Sequence, residues 1–171
     1  MHKGIICGRG GQGIITVNRM LGEIAARLGL KVISAETHGM AMRGGSVATY
    51  IKIGDFSSPS IGDGEADFMI ATDAGEAKRN ASGCAPGALV IVDSQEKPSF
   101  GTDMKIIAID ASRLAREKFG SEIASGSILL GAFLAHNEKT FDRTKVNAII
   151  KEIFPKAAAS VDFGYEEGHH E

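Results

Sequence analysis

The chain has 171 residues, of which 43% are hydrophobic and 23% are charged, a composition typical of a single globular domain. The formal net charge is −2 and the pI is about 6.2, and no run of five or more basic residues occurs, so neither nucleic acid nor an anionic membrane is expected as a partner. Cys7 and Cys84 lie far apart and form no metal-binding spacing, which argues against a metal or iron–sulfur centre within this chain.

The apolar stretches are too short for a membrane span. The run ILLGAFLA at 128–135 is far below the roughly 20 residues that a spanning helix needs. The N-terminus turns polar and glycine-rich after a few apolar residues, unlike a signal peptide. A cytoplasmic location in a reducing environment is the expectation.

The first 36 residues change from strand to helix and back to strand. The run GIIC at 4–7 predicts a buried strand, and apolar residues at helical spacing from Ile14 to Leu28 predict a helix that ends at Gly29. LKVISAE at 30–36 predicts a second strand. We interpret this order as the opening of a right-handed βαβ unit.

The later chain continues the alternation. A strand is expected at 46–54, a loop at 55–66, and a tail at 155–171, which leaves one domain over 1–154. The predicted fold class is α/β, a single-domain, Rossmann-like wound and mostly parallel sheet with flanking helices. Further strands are predicted at 67–73, 87–94 and 104–110, and further helices at 75–83, 111–119, 121–137 and 142–154.

A glycine cluster stands between the first strand and the first helix. Gly8, Gly10 and Gly13 form the pattern G-x-G-x-x-G in the position of a dinucleotide fingerprint, where a helix N-terminus attracts an anion and missing Cβ atoms let it approach. Glu36, at the end of the second strand, has the position of a ribose-binding carboxylate. A free-standing NAD- or FAD-binding protein is therefore one hypothesis.

Two observations weaken that hypothesis. A chain of 171 residues leaves little room for a substrate region beside a nucleotide-binding fold. Arg9 and Gln12 are long side chains within the turn, and they could obstruct a pyrophosphate or bind another partner. The glycines could also serve only to pack the strand tightly against the helix.

A second unusual stretch, ETHGMAMRGGSV at 36–47, follows the second strand. Ligands of open α/β sheets bind at the carboxyl ends of strands, so this stretch is expected to face the first glycine loop. His38 is either a titratable site residue or an ordinary loop histidine, and Met40 and Met42 are expected to form contact surface. The anion-binding candidates are Arg43, as a bidentate donor, and Gly44, Gly45 and Ser46, as a backbone nest.

Together, GRGGQGIIT and ETHGMAMRGGSV resemble the gamma-type subunit or domain of 2-oxoacid:ferredoxin oxidoreductases. That group includes pyruvate, 2-oxoglutarate, branched-chain ketoacid and indolepyruvate enzymes. The resemblance continues through SPSI and DFMIATD to LLGAFLAHN, over about residues 3–150. Family members commonly carry an asparagine just before the LGA stretch, where this chain has SGSILLGA.

The resemblance implies a multi-subunit enzyme that decarboxylates a 2-oxoacid with thiamin diphosphate and Mg²⁺. Such an enzyme passes electrons through 4Fe-4S clusters to ferredoxin and usually transfers the acyl group to coenzyme A. In this chain, Gly62–Gly64 resembles the start of a thiamin diphosphate motif, but Asn80 comes too soon to complete it, so we interpret the segment as a loop.

The chain is thus expected to be an accessory subunit that binds no cofactor alone and carries no catalytic residue. The implied partners are alpha- and beta-type and possibly delta-type subunits, with ferredoxin reached through the complex, and the isolated chain could form a homodimer. The loop residues expected to contact a ligand or a neighbouring subunit are Gly8, Arg9, Gly10, Gly11, Gln12, Gly13, Glu36, His38, Arg43, Gly44, Gly45 and Ser46.

Overall fold

Six strands form one sheet, flanked by helices, in a computed structural model that describes residues 1–36, 44–101 and 103–170. The predicted α/β class is confirmed. Short 3₁₀ turns at 81–83, 122–124 and 155–157 connect some of the elements. The elements in chain order are β1 (His2–Arg9), α1 (Ile14–Arg27), β2 (Val32–Glu36), β3 (Ser46–Ile53), β4 (Ala66–Ala71), α2 (Ala74–Asn80), β5 (Cys84–Asp93), β6 (Lys105–Ile109), α3 (Ala111–Phe119), α4 (Ser125–Ala135), α5 (Arg143–Ile153) and α6 (Ala158–His170).

The strand order is β2-β3-β1-β4-β5-β6. β1, β4, β5 and β6 are parallel to one another, whereas β3 is antiparallel to both β1 and β2. The first and second strands therefore point the same way, as a βαβ unit requires, but they are not adjacent. The expected βαβ opening is corrected in that respect, because β3 inserts between its two strands.

Both faces of the sheet are buried, which explains why β1 and β4 appear in the sequence as continuous apolar runs. Ile6 and Phe68 belong to a large cluster that also contains buried residues of α1, α4, α5 and α6. Ile5, Cys7 and Met69 point to the other face, where they join a smaller cluster that includes Ala77 of α2. The helices therefore lie on both faces of the sheet, with α2 on the face that carries the smaller cluster.

The structure corrects the interpretation of residues 155–171 as a tail. After the 3₁₀ turn at 155–157, α6 packs along α4, a helix in which every residue is buried. The backbones touch at three glycines: a Cβ at Gly131 would lie 2.7 Å from the backbone nitrogen of Tyr165 and overlap the Val161 carbonyl oxygen, and Gly164 and Gly168 meet the α4 backbone in the same way. The last helix is thus part of the main core. Within the described ranges, no helix is long and apolar enough to cross a membrane.

Candidate functional site

The first glycine loop lies where the sheet connections diverge. From the carboxyl end of β1 the chain enters α1, on the face of the sheet with the larger cluster. From the adjacent end of β4 it enters α2, on the face with the smaller cluster. Between two such strands an open α/β sheet has a crevice, which is its usual ligand site. In this chain the crevice is bordered by Gly8–Gly13 and by Thr72 and Asp73.

The two glycine-rich stretches are joined directly by backbone hydrogen bonds. Gly10 N–H donates to the Gly45 carbonyl at 2.7 Å, and Gly44 N–H donates to the Gly10 carbonyl at 3.2 Å. They extend the β1–β3 pairing, in which Arg9 is opposite Ser46. Because β3 is antiparallel to β1, its first residues lie beside the last residues of β1. The expected juxtaposition is confirmed for the described part of the second stretch, while His38 and Arg43 lie outside the described residues.

These bonds change the expectation of an anion nest. The amides of Gly10 and Gly44 each have a carbonyl partner, so in this arrangement they donate across the loops and not to a ligand. The structure therefore gives those two amides a part in holding the loops together. That the stretches contact a ligand or a neighbouring subunit stays a prediction.

Gln12 occupies the crevice with its own side chain. Its Oε1 accepts hydrogen bonds from the Arg9 N–H at 2.6 Å and from the Thr72 hydroxyl at 2.8 Å. A Cβ on Gly8 would overlap the Thr72 hydroxyl oxygen and lie 2.6 Å from Cδ1 of Ile14. Gln12 thus connects the end of β1 to the end of β4. Gly8 is needed for close packing, in agreement with the alternative that the glycines of this cluster serve packing.

Two other glycines are needed for backbone conformation. Gly11 has φ +92° and Gly13 has φ +75°, values that L-residues with side chains rarely adopt. Gly13 is the N-cap of α1 and supplies no side-chain cap, although its carbonyl accepts from the Val17 N–H at 3.0 Å. The turn into α1 depends on these two positions.

Sequence reasoning missed two acidic residues that contact the loops. Asp73 caps α2 by accepting from the Glu76 N–H at 2.9 Å, and its other carboxylate oxygen lies 3.2 Å from Nε of Arg9. Glu76 is only 3% exposed; it accepts from the Ser46 hydroxyl at 2.5 Å and pairs with Arg79 at 3.1 Å. The available signal was an Asp at a strand end followed three residues later by Glu, which is typical of a capped helix start.

The NAD- or FAD-binding alternative is not supported. Glu36 pairs with Thr49 on the far side of β3, and two strand spacings separate β2 from β1 by about 10 Å. In a dinucleotide fold the carboxylate is on the strand beside the glycine loop. Gln12 fills the crevice, and the Gly10 amide is already bonded.

The cysteines do not suit an iron–sulfur cluster. Burial, with a smaller contribution from the Glu76 charge, raises the pKa of Cys7 far above its usual range, and burial raises the pKa of Cys84 to about 11. Thiols that stay protonated are poor metal ligands. Among the described residues, no group of three or more His, Cys, Asp or Glu side chains could hold a metal ion.

The Gly62–Gly64 segment is a turn at the opposite edge of the sheet. It precedes β4, and the Gly62 carbonyl accepts from the Glu65 N–H at 3.2 Å, while Glu65 lies 3.6 Å from Lys3 near the start of β1. The interpretation of this segment as a loop is confirmed. It lies at the wrong end of the strands to combine with the glycine loops in a thiamin diphosphate site.

Beside the loops, α1 separates two hollows. The smaller, of about 320 Å³, is lined by the first loop together with Ile15 and Val47. The larger, of about 750 Å³, is mostly apolar and lies between α1, the segment that joins α3 to α4, and the segment that joins α5 to α6. Its rim carries Ile123, which is 76% exposed. We call the edge formed by the two glycine-rich stretches, Gly8–Gly13 and Gly44–Ser46, the loop edge. Gly13 and Thr16 line both hollows, so the loop edge continues into an apolar surface.

A wound α/β domain with two interlocked glycine-rich loops at its carboxyl edge is the class of protein that the fold and site define. The sequence pattern of the pyruvate ferredoxin/flavodoxin oxidoreductase family matches residues 4–165. The chain therefore belongs to that family, and the expected membership is confirmed.

Known proteins agree with this assignment. The chain is 35% identical to the indolepyruvate oxidoreductase subunit IorB of Archaeoglobus fulgidus, over 86% of this chain and 83% of that one. Its fold is similar to the gamma subunit of a keto/oxoacid ferredoxin oxidoreductase from Geobacter sulfurreducens, with TM-score 0.81, 20% identity and full coverage of both chains. It also matches 30% of a chain of 2-oxoglutarate:ferredoxin oxidoreductase from Magnetococcus marinus, a structure with 2-oxoglutarate, coenzyme A and succinyl-CoA bound, with TM-score 0.78 and 20% identity over 99% of this chain.

Proposed function

We propose that this chain is the gamma-type accessory subunit of a 2-oxoacid:ferredoxin oxidoreductase, an enzyme that oxidatively decarboxylates a 2-oxoacid. The family match over residues 4–165 carries the proposal, since it spans both loops and most of the last helix. The similarity to a protein named as an oxidoreductase subunit, over most of both chains, supports the role of a subunit.

The cofactors of the reaction belong to companion chains in this proposal. Thiamin diphosphate with Mg²⁺, the 4Fe-4S clusters and coenzyme A are bound by alpha- and beta-type and possibly delta-type subunits, and ferredoxin accepts the electrons. Two features of this chain favour the division. Its cysteines are buried, which raises the pKa of both thiols, and Gln12 fills the crevice in which a wound sheet would hold a ligand.

The loop edge is the surface that meets the companion chains. Arg9 is exposed over 57% of its side chain, and Ile15 beside it is 49% exposed although apolar. Exposed apolar residues grouped around a polar loop are typical of a protein interface. We place Arg9, His38 and Arg43 at this interface, facing the coenzyme A or thiamin site of the assembled enzyme.

Purification of the tagged chain from its native source tests the assembly. We expect two or three companion chains to be recovered, with thiamin and iron detected in stoichiometric amounts after acid release. The complex should reduce ferredoxin only when a 2-oxoacid is added, and the isolated chain should be inactive. Recovery of the chain without companions, or with companions that lack thiamin and iron, would contradict the proposal.

The substrate class can be tested on the same complex. The similarity to an indolepyruvate oxidoreductase subunit makes an aryl 2-oxoacid the first substrate to compare with pyruvate and 2-oxoglutarate. We expect the ratio kcat/KM to be highest for indolepyruvate. A higher value for pyruvate or 2-oxoglutarate would reassign the substrate and leave the subunit role intact.

A matched pair of arginines tests the interface. Arg9 and Arg27 are both about half exposed, and each pairs with a carboxylate, at 3.2 Å and 3.3 Å respectively. Arg9→Ala should weaken binding to the companion chains by about 2 kcal/mol, or about thirtyfold, as is typical of an interfacial arginine. Arg27→Ala, at the far end of α1, should bind normally. Equal effects of both substitutions would exclude the loop edge as the interface.

A further inference from the structure

The first turn of α2 contacts both glycine-rich stretches. On one side, the Asp73 carboxylate lies 3.2 Å from Arg9 of the first stretch. On the other, the Glu76 carboxylate accepts from the hydroxyl of Ser46, which directly follows Gly45 of the second stretch. The same two residues are bonded to each other, because the Glu76 N–H donates to Asp73. One helical turn therefore links two loops that are far apart in the sequence.

The Glu76 contact is the stronger of the two. The Glu76 side chain is 4% exposed and its hydrogen bond with the exposed Ser46 is partly buried, whereas Arg9 is 57% exposed and its ion pair is largely screened by solvent. A buried carboxylate is unfavourable unless its oxygens are satisfied. Here one oxygen accepts from Ser46 and the other pairs with Arg79. The loss of Ser46 would remove the hydrogen bond to Oε2 of Glu76, and the loss of Glu76 would remove this acceptor of the Ser46 hydroxyl.

We propose that Glu76 is a positioning residue that holds the second glycine-rich stretch against the first through Ser46. This inference rests on the proposed function, because the interlocked loops are the surface offered to the companion chains. Glu76 does not touch a companion in this proposal. It fixes the register in which Gly44 and Gly45 meet Gly10, and the assembled surface depends on that register.

Amide hydrogen exchange in the isolated full-length chain tests the positioning without any partner. The Gly10 and Gly44 amides report on the bonds between the loops, and the Gly120 amide, bonded to the Arg116 carbonyl at 3.0 Å at the end of α3, reports on a distant region. Glu76→Ala should accelerate exchange at Gly10 and Gly44 at least tenfold and leave Gly120 unchanged. Glu76→Gln, which keeps an acceptor for Ser46, should restore most of the protection.

Two further variants keep the test decisive. Ser46→Ala removes only a hydroxyl and is expected to fold even if Glu76→Ala does not, and it should accelerate the same two amides. Glu117→Ala removes a carboxylate from an exposed pair with Arg113 at 3.0 Å and controls for the loss of a negative charge far from the loops, with no change in exchange expected at Gly10 or Gly44. The positioning role is refuted if Ser46→Ala leaves both amides protected. It is also refuted if exchange at the Gly120 amide accelerates equally, since that would indicate general destabilisation.

Binding of the same variants to the companion chains distinguishes the positioning role of Glu76 from the proposed interface. If both hold, Ser46→Ala and Glu76→Ala weaken complex formation at least tenfold, and Glu76→Gln does so less. If exchange at the Gly10 and Gly44 amides accelerates while complex formation is unchanged, the positioning role of Glu76 stands and the loop edge is not the interface. If the amides do not respond, the positioning fails whatever the complex does.

Discussion

Glycines serve different purposes at the loop edge and at the α4–α6 contact. At the loop edge they are clustered in the sequence, where Gly11 and Gly13 provide positive φ and Gly8 makes room for side chains. Between α4 and α6 they are dispersed along two helices and bring backbone against backbone. Side chains can move aside, whereas backbones in packed helices cannot. The conspicuous cluster is therefore expected to be less sensitive to substitution than the dispersed glycines.

The largest effect is expected at the helix contact. A Cβ on Gly164 would lie 2.6 Å from the Ile128 Cα and overlap its carbonyl oxygen, so Gly164→Ala must separate α6 from α4. We expect the free energy of unfolding to fall by about 3 kcal/mol, the upper range for overpacking, as measured by urea denaturation.

A helical glycine with free space provides the control for that variant. A Cβ at Gly22 in α1 would have its nearest neighbours at 3.7 and 3.8 Å, an ordinary contact distance. Gly22→Ala should therefore be neutral or stabilising by up to about 1 kcal/mol, from helix propensity. If both variants had the same effect, the close approach of α4 and α6 would not limit stability.

An intermediate effect is expected at Gly8. The atoms that its Cβ would meet belong to the side chains of Thr72, Ile14 and Gln12, which can shift, so Gly8→Ala should cost about 2 kcal/mol. Since Thr72 is the nearest of these, Thr72→Ala should relieve part of the clash, and the double variant should be more stable than the sum of the single losses predicts. Additive losses in urea denaturation would show that the loop, and not this contact, sets the cost.

A smaller effect is expected at Gly11, where there is open space but φ is +92°. Gly11→Ala should cost about 1 kcal/mol of backbone strain, and Gly11→Asn less, because Asn tolerates positive φ better than other residues with side chains. Thermal unfolding of the three proteins checks this order. An alanine variant as stable as the native chain would show that the turn relaxes to another conformation.

Local patterns predicted most of the secondary structure. The helix expected at 111–119 has those bounds in α3, since an apolar face and the following Gly120 mark its end. The strands of the buried parallel sheet were recognisable as short apolar runs between turn residues. The position of β3 was not recognisable, because strand order depends on pairing partners that are distant in the sequence, and the assumption of sequential neighbours placed β2 beside β1.

The last helix and the role of α2 were missed for a related reason. Pro155 and the polar end of the chain suggested a tail, but α6 is held by glycines and small residues whose contacts are visible only in three dimensions. Glu76 looks in the sequence like an exposed charge on a short helix. In the structure Glu76 is buried and accepts from Ser46, which antiparallel pairing of β3 brings to the end of β1.

The smallest expected effect is a pH dependence of stability near the contact between α4 and α6. His136, which follows α4, has a pKa below its usual value of 6.5, mainly because of burial and then because of Lys105 and His169; the backbone of Gly168 in α6 opposes this weakly. The pKa of His2 is also lowered, mainly by burial and then by the N-terminal charge. As the pH falls below 6.5, the unfolded chain takes up these protons before the folded chain does, so stability should decrease.

Urea denaturation at pH 7.5 and pH 5.5 measures this loss. One proton contributes at most about 1.4 kcal/mol per pH unit, and solvent screening reduces the share of half-buried His136 below that limit. His136→Gln removes the titrating group and should lose less stability between the two pH values than the native chain. If the two proteins lost the same amount, His136 would not be linked to folding, and acid would not weaken the α4–α6 side through this residue. The loop-edge variant Gly11→Ala should keep the native pH dependence, because its strain is conformational and involves no proton.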